Sequence, residues 1–239
     1  MMSGLFGLEG PILNPRSPDR VEWTARGLLV YDRKGVIIHC GPRKDFAGLD
    51  AERIPKGCLI IPGLIDCHSH LSQHHAVGRT GFTLMDWLES HIYPSESRMA
   101  SPAGANLTSR DYMKVLLSNG VTFSALYTNF HQGVLAAHRQ AQKLGIRALI
   151  GYTLMDRAVP APLRQKPDRA IGECRELAQR FRSDPGNGRL LFSLNPRFAP
   201  ACSSGFLKKI GRLARQEGLF IQTHLSENLR ELSQVKKYF

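Results

Sequence analysis

The 239-residue sequence is 42% apolar and 22% charged, ordinary globular usage that allows a sizeable core and excludes disorder. Lys and Arg number 32 against 20 Asp and Glu, for a formal charge of +12, but the cations are dispersed with no aromatic interleaving, as on a solvated basic face and not a nucleic-acid footprint. No uninterrupted apolar stretch approaches the roughly 18 residues of a membrane span, and five widely spaced cysteines without Cys-x-x-Cys exclude a thiolate zinc finger or disulfide framework and suit a reducing, cytoplasmic compartment.

The first elements are short strands. Apolar runs at 28–31 and 36–40 flank Asp32-Arg33-Lys34-Gly35, which predicts a β-hairpin. A third strand is expected at 58–61, just before Pro62-Gly63. Residues 1–61 are thus expected to form a small β-rich domain, and 62–239 a second domain of different rhythm. There, strands at 64–67, 121–126, 148–152, 190–194 and 219–223 alternate with helices near 84–88, 109–118, 134–143, 171–181, 207–216 and 227–237. Asn119-Gly120, Gly145 and Gly218 supply helix stops. Repeated strand–helix units imply parallel strands with right-handed crossovers. The pattern leaves open both a doubly wound sheet and a barrel. No Gly-x-Gly-x-x-Gly follows a strand, against a dinucleotide fold.

The residues able to do chemistry gather at strand ends. The first is Pro62-Gly63-Leu64-Ile65-Asp66-Cys67-His68-Ser69-His70. Side chains two apart on a strand share a face, so His68 and His70 present two imidazoles together, a donor pair suited to zinc. The bland alternative is two hydrogen-bonded loop histidines. Strand five ends in Gln222-Thr223-His224-Leu225-Ser226-Glu227-Asn228. His224 would add a third imidazole at the same rim, and Glu227, expected in the first turn of the last helix, could move a proton beside it. Its alternative is a carboxylate complementing the helix dipole.

Strand four ends in Asn195-Pro196-Arg197-Phe198-Ala199-Pro200. Arg197 offers a rigid fork of donors and Phe198 a stacking face, together suited to a planar heterocycle. The commoner fate of such a pair is a surface arginine beside a buried ring. Gln73, three residues past His70, can reach the same mouth as donor and acceptor. His131, after strand two, lies at the right rim to stand behind these ligands, while His39, His74, His75, His91 and His138 rank lower. There is no His-Glu-x-x-His, Walker loop or Gly-x-Ser-x-Gly elbow.

From about residue 62 to 239 these segments resemble the amidohydrolase superfamily, and within it are closely similar to the guanine-deaminating members. The resemblance is carried by the 62–70 motif with Gln73, by Trp87-Leu88-Glu89 followed by Tyr93-Pro94-Ser95-Glu96, and by Leu154-Met155-Asp156-Arg157. Asn195-Pro196-Arg197-Phe198 matches with Asn in place of the family's Thr, and Thr223-His224-Leu225-Ser226-Glu227-Asn228 is followed by Val235-Lys236-Lys237-Tyr238. It implies an α/β fold: part of a (β/α)8 metal-dependent hydrolase barrel, about five βα units, with a small β-domain at the amino terminus. It also implies zinc and hydrolytic deamination of guanine to xanthine and ammonia. By position, His68, His70 and His224 would be metal ligands, Glu227 the proton shuttle, and Gln73, Arg197 and Phe198 the base-binding residues. The partner implied is a small purine, without nucleic acid or membrane, and relatives often pair as dimers. A further histidine and an aspartate of the family pattern would fall beyond Phe239, so a truncated form with impaired or no activity is expected. Competing expectations are a deaminase or chlorohydrolase acting on a pterin, triazine or pyrimidine, and a non-catalytic interaction module.

Overall fold

Two long strands, β1 (Leu5–Ser17) and β2 (Arg20–Asp32), pair antiparallel at the amino terminus. The computed structural model describes residues 4–80, 83–186 and 188–239, which fall into two units, Met1–Gly63 and Leu64–Phe239. In the first, β2 also pairs with β3 (Ile37–Pro42), and β4 (Glu52–Arg53) runs parallel to β1, giving the order β3-β2-β1-β4. The predicted hairpin is the β2–β3 pair, with Leu29 opposite Cys40. Asp32 closes its turn by accepting from the backbone N–H groups of Lys34 and Val36.

Sequence pattern did not reveal β1, because Gly7, Gly10, Pro11 and Pro15 interrupt its alternation. Ile12 explains one glycine across the pair: a Cβ on Gly27 would lie 2.5 Å from Ile12 Cγ1. Leu28, Val30 and Leu49 form this unit's small core. The strand expected at 58–61 is absent. Only Ile60 bridges Ile12, since Pro55, Gly57 (φ +86°) and Pro62 break the extended run.

Among the described residues the second unit holds five parallel strands: β5 (Leu64–His70), β6 (Val121–Thr128), β7 (Arg147–Leu154), β8 (Leu190–Pro196) and β9 (Phe220–Ile221). Their spatial order equals their chain order. A doubly wound sheet reverses direction at a switch point; an unreversed order is the arc of a (β/α)8 barrel. In a flat sheet the outer strands, four steps apart, would stand about 19 Å from each other. Here His70 at the end of β5 and His224 just beyond β9 approach to 3.0 Å between Nε2 atoms, so the sheet is curled.

Helices α1 (Leu84–Trp87), α2 (Tyr93–Ser97), α3 (Pro102–Ser118), α4 (His131–Leu144), α5 (Pro167–Arg182), α6 (Ser204–Glu217) and α7 (Leu229–Tyr238) complete the unit. A π-helical turn, Leu88–Ile92, joins α1 to α2. Leu126, Ile150 and Leu194 pack with Met113, Val134, Leu177 and Phe206 in the main core. On the strands' other face Asn195 lies across Gly151, where a Cβ would come within 2.0 Å of Nδ2. Gly145 and Gly218 end α4 and α6 at φ +74° and +64°, as their sequence positions predict.

Helix starts differ more. Ser101 and Ser203 cap α3 and α6, and Pro102 and Pro167 open α3 and α5, so three helices begin earlier than the apolar periodicity suggests. The last begins later: Asn228 is the N-cap of α7, its side chain accepting from Glu231 N–H. Glu227 therefore precedes the helix and is not in its first turn. Strand five is shorter than expected: only Phe220 and Ile221 pair, opposite Ser193 and Leu194 of β8. No helix among the described residues is long and apolar enough to cross a membrane.

Candidate metal centre and binding pocket

The β5 backbone delivers His68 and His70 to the carboxyl rim of the sheet, and β9 leads to His224 opposite them. One ligand nitrogen from each of the three rings lies within 4.8 Å of the others. The ring centroids are 4.9 to 5.1 Å apart. Tyr127 of β6 underlies all three, its centroid 4.6 to 5.1 Å from each.

The chemistry of this donor set fits a divalent ion. Tetrahedral zinc with bonds of 2.0–2.1 Å would hold ligand nitrogens about 3.4 Å apart, a spacing these rings span. His224 Nδ1–H donates to the Arg197 carbonyl oxygen at 2.5 Å, so Nε2 keeps its lone pair and faces His70. A metal-binding histidine is commonly oriented in this way through its second nitrogen. Burial holds His70 well below the usual imidazole pKa, and nearby Arg197, His224 and His68 lower it further. Burial also lowers His224, against the raising effect of its bond to Arg197. Both rings are thus neutral, the form that binds metal. Among the described residues this is the one group of three potential ligands.

All seven side chains singled out from the sequence line a single cavity of about 220 Å³, walled on its apolar side by Leu84, Trp87 and Leu88. Arg197 and Phe198 are buried, at 4% and 8% exposure, so Arg197 is not the surface residue of the bland alternative. Its Nη1 donates to both carboxylate oxygens of Glu96, at 2.8 and 2.7 Å. Burial works against the guanidinium's charge, and Glu96 outweighs it, leaving the Arg197 pKa raised. Gln73 Nε2 donates to the same carboxylate at 3.0 Å. Glu96, though part of a recognised segment, carried no role in the sequence reading. Its partners lie 23, 33 and 101 residues away in the chain, beyond any local pattern.

Glu227 is exposed at the cavity's edge. Its backbone is fixed by Glu231, which is 4% exposed and accepts from the N–H groups of Ser226 and Glu227. Ser226 sits at φ +57°, a strained conformation that this carboxylate helps to hold. His131 stands elsewhere: it pairs with Glu176 at 3.3 Å and lines a separate cavity of about 370 Å³ with Tyr152 and Glu173. His138 is buried against Asp184.

The curled parallel sheet with a histidine cluster at its carboxyl rim defines the class. The chain belongs to the Amidohydrolase family, whose model matches residues 59–239. Among curated relatives it is 34% identical, over 186 residues, to the guanine deaminase of Escherichia coli strain K12, covering 77% of this chain and 42% of that one. Among solved structures it resembles the guanine deaminase from C. acetobutylicum with bound guanine in the active site, with a TM-score of 0.90 and 25% identity over 98% of this chain and 56% of that one. It also resembles an adenosine deaminase from Xanthomonas campestris with bound zinc (TM-score 0.79, 21% identity, 98% and 52% covered), a likeness of fold alone. The chain spans about half the length of these proteins.

Proposed function

We propose that this chain supplies the metal-binding and base-binding side chains of a zinc-dependent aminohydrolase that converts guanine to xanthine and ammonia. One observation carries this reading: imidazoles, carboxylate, guanidinium and aromatic ring, each selected for a chemical role, converge on one cavity. At about 220 Å³ the cavity is below the range typical of drug-sized ligands and suits a small heterocycle. The likeness to guanine deaminases in sequence and structure supports the choice of base.

His68, His70 and His224 would hold the ion. When bound, zinc supplies a strong nucleophile at neutral pH by lowering the pKa of water toward ~7. The protein's part is positional. Phe198 stacks on the ring, and Gln73 and Arg197 donate to its acceptors. Glu227 takes the proton from the attacking water and returns it to the ring nitrogen, so that charge does not accumulate on the heterocycle. Because His68 and Glu227 are exposed, this chain excludes water poorly and is expected to turn over guanine slowly or not at all.

Binding is therefore the measurement. The expected result is one zinc per chain by atomic absorption after dialysis, lost in His70→Ala and in His224→Ala, with guanine retained by the zinc-loaded wild type. A wild-type chain that keeps no zinc, or variants that keep it fully, overturn the metal assignment.

A further inference from the structure

Glu96, in α2, is fully buried and stands behind the cavity wall without lining it. Its carboxylate gathers donors from three segments: Arg197 Nη1 on both oxygens, Gln73 Nε2 on Oε1, and Asn129 Nδ2 on Oε2 at 3.2 Å. Two of these donors belong to residues that line the cavity. A guanidinium carries five N–H donors in a rigid fork. Glu96 occupies those of Nη1, leaving Nε and Nη2 for other partners.

An unpaired arginine in such a pocket would draw anions of any shape. Bonded to a buried carboxylate, Arg197 is part of a neutral pair, and what it offers the cavity is direction without net charge. We infer, on the base-binding reading above, that Glu96 is a specificity-determining positioning residue: it holds Gln73 and Arg197 as fixed donors and makes the cavity prefer an uncharged purine to an anionic one. Replacing a ring amidine by a carbonyl makes the neighbouring N–H more acidic, so the same pair disfavours retention of an ionised product.

Equilibrium dialysis of labelled guanine and of labelled urate, an anion at neutral pH, tests this on the full 239-residue chain in zinc-containing buffer. The wild type is expected to bind guanine at least tenfold more tightly than urate. Glu96→Gln should weaken guanine tenfold or more and tighten urate by a similar factor, while Glu96→Asp, which keeps the charge, preserves the preference. A merely structural role would weaken both ligands together; that result, or an unchanged preference in Glu96→Gln, overturns the inference. If Glu96→Gln lacks the wild-type circular dichroism spectrum, the double variant Glu96→Gln/Arg197→Gln leaves no buried charge unpaired and is read instead. Read against Arg197→Gln, so that the arginine is absent from both, the double variant should bind urate at least tenfold more tightly because the buried carboxylate charge is gone, and equal urate affinity in the two would overturn the proposal. A wild type that retains no guanine overturns the base-binding reading, and this inference with it. Guanine binding with selectivity indifferent to Glu96 removes the inference alone.

Discussion

Arg197 serves the site from two ends. Its carbonyl orients His224 and its guanidinium meets Glu96, so side-chain substitutions should separate the two tasks. Arg197→Gln should keep zinc content near wild type, because the contact to His224 is to the main chain. It should also lower stability in urea denaturation by about 3–5 kcal/mol, the cost of leaving a buried carboxylate unpaired. His138 gives a pH-dependent case. Burial lowers its pKa against the raising influence of Asp184, with Arg180 and Arg139 adding to the lowering. The unfolded chain therefore takes up this proton first as the pH falls. The stability contributed by neutral His138 is complete above about pH 6.5 and declines below it toward the folded pKa. Denaturation midpoints should fall with acid over that window, and His138→Gln should reduce the slope; an identical slope would show that other groups dominate. At this scale the sequence was legible where chemistry follows local periodicity, as at His68 and His70. It was silent at Glu96 and Glu231, whose roles depend on atoms brought in by folding.

Helix boundaries show where local rules were sufficient. The glycine stops at Gly145 and Gly218 follow from a backbone conformation that side-chain-bearing residues resist. The starts were missed because an apolar stripe identifies only buried turns, whereas Ser101, Ser203 and Asn228 act through one hydrogen bond each. Ser203 does more than cap. Its hydroxyl donates to Asp156 Oδ2 at 2.6 Å while accepting from Phe206 N–H, tying the loop after β7 to α6. Ser203→Ala should cost about 1–2 kcal/mol, read as a thermal midpoint lowered by about 2–8 °C. Glu227 moved from helix to loop for the same reason: Asn228 caps better than its neighbours, so the helix starts after it.

For the molecule as a whole, the unreversed strand order leaves β5 and β9 as the two edges of the second unit's sheet. Ile65 is 67% exposed and Phe220 55%, with Leu225 and Leu229 near 80%. Edge strands carrying apolar side chains pair with other copies unless charges intervene. Sedimentation velocity should show concentration-dependent association of the isolated chain, reduced in Ile65→Lys/Phe220→Lys; a monodisperse monomer at all concentrations would contradict this. The pattern of alternating units pointed to parallel strands but could not separate open sheet from barrel arc, since curvature is set by how side chains fill the inner face and not by any one segment.

The meeting of His70 and His224 carries a mechanical consequence. Among the described residues the hydrogen-bonded ladder joins each strand only to its neighbours in the chain, so no ladder links the two margins of the arc. An ion shared by both would act as a buckle across 154 residues of sequence, stabilising the fold by an amount that grows with the logarithm of free zinc once its concentration exceeds the dissociation constant. Adding zinc should then slow amide exchange in β5 and β9 together, and chelation should release both at once.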